Sequence, residues 1–318
     1  MATEVVTNGS GGPDARSVFG PPRRRLGEKA IAVVLFCAAV TSVVITVGIV
    51  ASLAGETITF FADKAVTVGG FFTSSEWSPL FSDPQFGIRP LVQATLIISA
   101  IALLVAIPLG IGTAAFLSEY ASPRVRAAIK PTLELLAGVP TVVFGYFALT
   151  YFTPTVLNGL LGLDVAVFNG LAGGLIVGIL IVPTIASVAQ DAMTAVPQSL
   201  REGAYGLGAS RRQVTVRVVI PAALSGVTAG IVLGASRAVG ETMVVLIAAG
   251  QLPTTSLDPR SPMETMTAFI GATGKGDVPT GSTGYKAIFA VGFALFLMTL
   301  ILNTISIRFV RRYRQVYE

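Results

Sequence analysis

A chain of 318 residues has room for one large soluble domain or two smaller ones, but a mean hydropathy of +0.76, with 53% hydrophobic and only 12% charged residues, excludes both: its natural solvent is lipid. The lack of any histidine excludes imidazole catalysis and most zinc sites, and the single Cys37, set in an apolar run, excludes a disulfide framework. The formal net charge of +5 points to a membrane surface and not to nucleic acid, because the basic residues flank apolar runs and are not interleaved with aromatics.

In chain order, residues 1–28 are rich in Gly, Pro, Ser and Arg, lack periodicity and reach the run Arg23, Arg24, Arg25, which predicts a disordered cytoplasmic tail. The apolar run that follows, 31–54, outlasts the roughly 7 to 15 residues of a signal-peptide core and is expected to remain as a first span. Further stretches long enough to cross a bilayer lie at 91–118, 132–152, 166–190, 219–249 and 286–309. Backbone polar groups in lipid must be satisfied within the chain, so the expected fold is an all-α polytopic membrane protein of six transmembrane helices. Pro108, Pro140 and Pro183 fall within spans and are expected to bend helices around a cavity. Glu134 and Asp191 sit near span ends, where a carboxylate reaches the interface, and Trp77 reads as an interfacial anchor of the segment 55–90.

Lys and Arg are distributed unevenly between the two sets of loops. Arg16, Arg23, Arg24, Arg25, Lys29, Arg124, Arg126, Lys130, Arg201, Arg211, Arg212, Arg217, Arg308, Arg311, Arg312 and Arg314 fall on one side, against Lys64, Arg89, Arg260, Lys275 and Lys286 on the other. The positive-inside rule therefore predicts that both termini are cytoplasmic. Arg237 is the basic residue left inside a span.

Between the fourth and fifth spans, residues 197–221 read as two small helices instead of a passive loop. Ser199 with Glu202 and Ser210 with Gln213 each fit a capping box, Gly206 and Gly208 supply a turn, and Pro221 marks the start of the next span. Arg201 and Glu202 are expected to offer charged contacts at the exposed end of the first helix. Within the fifth span, Gly226, Gly230, Gly234 and Ala238 recur every four residues, a ridge suited to close helix packing. Arg237 and Glu241 continue the stripe at a spacing that allows an ion pair. Burying an arginine at bilayer depth costs at least about 2.5 to 3.5 kcal/mol, so this one is expected to be paired or to line a water-filled path. A purely structural pair is the alternative. Asn303 in the last span is placed to hydrogen-bond across helices.

Glu202, Gly203 and Ala204, then Gly208, then Val218, Ile220 and Pro221 resemble the Glu-Ala-Ala, Gly, Ile-x-Leu-Pro signature of bacterial binding-protein-dependent ABC importer permeases, departing from it at Gly203, Val218 and Ile220. The stretches GVPTVVFG (138–145), RAVGETM (237–243) and SSEWSP (74–79), with 87–96, are similar to the PstC-type subunit of phosphate importers. That resemblance implies a type I, MetI-like permease domain over 29–318. It further implies a PstA-type permease partner, two copies of a PstB-type ATPase that carry the ATP and Mg²⁺, and a PstS-type extracytoplasmic phosphate-binding protein. The Arg237 guanidinium, a planar fork of donors matched to a tetrahedral oxyanion, puts that residue in the substrate path, with Glu241 expected to hold or release it, and the resemblance assigns Arg201, Glu202, Gly203, Ala204 and Gly208 to coupling with the ATPase. Lipid is an expected partner and nucleic acid is not. Gly274 and Lys275 lack the Ser or Thr that completes a phosphate-binding loop, so hydrolysis is expected from a partner subunit, and no catalytic, cofactor or metal role is expected in this chain. The competing readings are a permease for another oxyanion, such as molybdate or sulfate, and a secondary transporter driven by an ion gradient. A membrane-embedded enzyme finds no nucleophile with a base to activate it.

Overall fold

A computed structural model of the protein describes residues 26–64, 66–81, 83–275 and 278–313. The tail expected over 1–28 lies outside the described residues as far as position 25. Helix α1, Leu26–Phe61, is apolar around its whole circumference, with Ile31, Phe36 and Val44 all exposed. A helix of that kind and of 36 residues needs lipid or another apolar surface beside it.

The short helix α2, Val68–Thr73, follows, then a two-stranded antiparallel hairpin of β1, Trp77–Ser78, and β2, Gln85–Phe86, with Trp77 opposite Phe86. Helix α3, Arg89–Ala115, is prolonged by a π-helical turn over Phe116–Tyr120. Helix α4, Pro123–Gly138, meets α5, Thr141–Phe147, and its π-helical continuation Ala148–Leu160 at an angle of 86°. The third span expected at 132–152 is thus broken in its first third. Pro140 carries no backbone N–H to continue the ladder, and Val139 before it is held in an extended conformation.

Helix α6, Gly170–Thr194, runs through the core, with side chains buried on every face. Pro108 in α3 and Pro183 in α6 lie inside uninterrupted helices, so of the three prolines only Pro140 marks a break. After α6 come α7, Gln198–Gly206, then α8, Arg211–Val214, with a π-helical extension Thr215–Val219, and α9, Ile220–Ala222. Helix α10, Leu224–Val239, is bent 73° from that segment, and α11, Met243–Ala248, follows a break at Gly240. Two elements complete the chain: α12, Met266–Thr273, and α13, Thr283–Tyr313. Among the described residues, four helices are long and apolar enough to cross a membrane, and the two bent pairs raise the total to six when each is counted as one span.

The small-residue ridge of α10 lies on α6. A Cβ on Gly226 would stand 2.2 Å from the Cβ of Ala192, and one on Gly234 would stand 2.8 Å from the Ile185 side chain. Ser236 on the same helix donates to Asn303 Oδ1 on α13 at 2.6 Å, which is the cross-helix bond expected of Asn303. Gly226→Ala is therefore expected to force the two helices apart at a cost of about 1 to 3 kcal/mol, read as a lower denaturation midpoint of the purified protein. Gly203→Ala is the control, because a Cβ there meets no atom within 4 Å.

Candidate functional site: a helical lever and a half-buried guanidinium

The lever is α7 with α8. The capping box at Ser210 is complete: its hydroxyl accepts from Gln213 N and Gln213 Oε1 accepts from Ser210 N. Gly208 sits at φ +82, the left-handed conformation that lets the chain reverse between the helices. The Ser199 box does not form. Pro197, with its fixed φ, takes the N-cap position and starts the helix at Gln198, which places Ser199 inside the first turn. Val214 and Val219, with Ala204 partly buried against them, share an apolar cluster with Ala114 of α3, Ala189 and Met193 of α6 and Val227 of α10. Glu202, Gly203, Tyr205, Gly206 and Leu207 face outward, Leu207 being 92% exposed.

Arg201 departs from its expected place at the exposed end. It is 9% exposed and turned into the bundle, where its guanidinium meets Glu119 at 3.0 Å and donates to the carbonyls of Met193, at 2.7 Å, and Val196. A cation at the end of α6 complements the carbonyls it reaches there and the negative end of the helix dipole. The neighbouring Tyr120 carries Arg211 over its ring at 5.1 Å from the centroid. Two consecutive residues at the end of α3 thus hold both helices of the lever.

The guanidinium of Arg237 lies in the last turn of α10. The ion pair with Glu241 that the spacing suggested is absent, because the helix stops at Val239 and the chain turns at Gly240. Arg237 Nη1 donates to Thr184 Oγ1 on α6 at 3.0 Å, and no carboxylate among the described residues pairs with it. Glu241 is buried; its carboxylate accepts from Val244 N at the start of α11, and its carbonyl accepts from Thr267. The two stretches that resemble phosphate permeases pack on each other here: a Cβ on Gly145 would approach Met243 O and Ile247 to 3.0 Å.

Thr184 also lines a cavity of about 170 Å³ between α4 and α6, together with Ser187, Gln190, Lys130 and Glu134. Lys130 pairs with Asp191 at 3.2 Å, which gives that exposed carboxylate a partner. Gln190 is 5% exposed and makes no side-chain hydrogen bond. Sequence reasoning missed Glu119, Tyr120, Thr184 and Gln190. Thr184, Ser187, Gln190 and Asp191 do stand at intervals of three or four in an otherwise apolar span, a polar stripe that was open to detection.

A multi-pass helical bundle carrying a capped helical hairpin packed against three of its helices is the architecture of a membrane transport permease. The chain belongs to the family of binding-protein-dependent transport system inner membrane components, whose model matches residues 106–315. It is 31% identical over 304 residues to the probable ABC transporter permease protein YqgH of Bacillus subtilis, covering 95% of this chain and 96% of that one. It is 34% identical over 278 residues to the phosphate transport system permease protein PstC of Mesorhizobium japonicum, covering 80% of this chain and 83% of that one. Among solved structures, a bacterial ABC transporter that imports the acidic polysaccharide alginate aligns with a TM-score of 0.63 at 18% identity over 92% of this chain and 100% of that one. The MetNI methionine ABC transporter aligns with a TM-score of 0.53 at 14% identity over 72% of this chain and 95% of that one. These two likenesses establish the fold, the MetI-like permease bundle.

Proposed function

We propose that the chain is the transmembrane permease subunit of an ATP-driven phosphate importer, forming half of the phosphate path and receiving the ATPase stroke through α7. The observation that carries this reading is the half-buried guanidinium of Arg237 beside a polar stripe, in a chain whose relatives are phosphate transport permeases. A guanidinium is a planar fork of donors matched to a tetrahedral oxyanion, and with only a neutral hydroxyl as partner it can take an anion without displacing a carboxylate. The path runs from Arg237 past Thr184 into the cavity floored by Gln190 and Lys130. Glu241 holds the turn that presents Arg237 and is not its counter-ion.

The lever's outward face, Glu202, Gly203 and Leu207, docks on a partner ATPase that binds the ATP and Mg²⁺. Ala204 and Gly208 shape that face from within, and Arg201 anchors it. The assembly contains a homologous PstA-type permease, two PstB-type ATPase copies and a PstS-type phosphate-binding protein, with both termini of this chain cytoplasmic. The test is Glu202→Ala combined with Gly208→Val. Membrane insertion is expected to be normal, with phosphate uptake and substrate-stimulated ATP hydrolysis lost together. Wild-type uptake by that variant overturns the coupling role.

A further inference from the structure

By span count, the segments after the first and fifth spans lie on the membrane face opposite the lever. They pack into one aromatic cap in which Trp77, only 4% exposed, meets Phe269 edge-to-face at 4.9 Å and Phe86 at 6.5 Å. Trp77 is therefore a core residue of the cap and not the interfacial anchor its position suggested. Beside it lies a cavity of about 300 Å³ with apolar walls from Pro79, Leu80 and Phe269.

Two polar groups that line this cavity have no partner. The indole Nε1 of Trp77 is buried without a hydrogen bond. Glu264, 6% exposed, has none either. An unpaired donor and an unpaired carboxyl in the same pocket each carry a desolvation penalty that the fold leaves uncompensated. Burial also pushes the Glu264 carboxyl up to about 7. Among the described lining residues Glu264 is the ionisable one. The other charged groups that follow the first and fifth spans, Asp63, Lys64, Glu76, Asp83 and Arg89 on the first segment and Asp258, Arg260 and Lys275 on the second, do not line it, and Asp258 and Arg260 are bound to each other at 2.8 Å. Asp277 lies outside the described residues.

We propose that this cavity is the socket for a lysine or arginine side chain of the extracytoplasmic binding protein, whose cation meets the Glu264 carboxylate. Charge decides the occupant. No cation among the described residues lines the pocket, so an anion would face a carboxyl alone, whereas a basic side chain supplies the missing counter-charge and its aliphatic stem suits the Pro, Leu and Phe walls. The inference rests on the reading of the chain as a binding-protein-dependent importer.

Docking of a cation releases the proton that Glu264 carries below its pKa. Apparent affinity for the binding protein is then expected to rise roughly tenfold per pH unit up to about 7 and to level off above it. The test uses the intact complex in lipid nanodiscs and the concentration of phosphate-loaded binding protein that half-maximally stimulates ATP hydrolysis, measured from pH 6 to pH 8. Glu264→Gln, which keeps the shape, is expected to raise that concentration at least roughly tenfold at pH 8 and to abolish its pH dependence, with unstimulated hydrolysis and complex assembly unchanged. Exchanging the docking lysine or arginine of the binding protein for glutamine should weaken stimulation of the wild-type complex but not of the Glu264→Gln complex. A wild-type complex that no binding protein stimulates overturns both this inference and the importer reading. Stimulation that is indifferent to Glu264→Gln overturns this inference alone, and so does Glu264-dependent stimulation by inorganic phosphate without the binding protein, which would make the pocket an anion subsite.

Discussion

Arg237→Gln is expected to abolish phosphate uptake while the complex still assembles and still hydrolyses ATP at its unstimulated rate. Glutamine ends where the guanidinium Nε stands and falls short of Thr184, so the α6 contact and the fixed positive charge are lost together. Hydrogen bonds to charged groups contribute about 1.5 to 3 kcal/mol each, so losing even one from the rate-limiting passage lowers flux by roughly 10- to 100-fold. Arg237→Lys keeps the charge without the fork and should fall between the two. Thr184→Val removes the hydroxyl that positions the guanidinium at 3.0 Å and should produce a smaller loss of several-fold. Uptake of radiolabelled phosphate into proteoliposomes containing the whole complex measures all three. Unchanged uptake by Arg237→Gln would remove Arg237 from the path and leave it as an anchor of α10 on α6.

The break at Gly240 shows why the expected ion pair failed. Spacing of four is informative only while the helix persists, and Gly240 and Thr242, which favour turns and caps, interrupt an apolar run on either side of Glu241. The Val139–Pro140 break was legible in the same way from the proline. Apolar runs revealed the spans because lipid imposes the same demand along their whole length, and the Ser210 box was readable because all its partners lie within four residues. Arg201 and Glu119 were not readable: 82 positions separate them, and a charged residue on a short polar helix gives no local sign that it faces inward. The same limit hid the cap, where Trp77 and Glu264 line one cavity only because two distant outer segments fold together.

Arg201→Met is expected to have the second large effect, through the connection between lever and bundle. It leaves Glu119, itself buried, without a counter-charge and removes the donor to the Val196 carbonyl. Breaking one side of a buried ion pair costs about 3 to 5 kcal/mol, a large part of the stability of an ordinary domain. The single variant should therefore accumulate poorly and denature at lower temperature. The double variant Arg201→Met with Glu119→Leu replaces the pair by apolar contacts within the cluster of Val196, Val214 and Ala114, and such replacements are often neutral or stabilising. Stability should return. Coupling should not, because the guanidinium fixes the lever to the ends of α3 and α6 at once, through directed bonds that methionine and leucine cannot make. The stable double variant is thus expected to hydrolyse ATP with weakened dependence on the loaded binding protein and to carry less phosphate per ATP. If the double variant instead regains wild-type stimulation, the pair serves packing alone and the stroke enters through the apolar contacts of α8 and through Arg211 on Tyr120.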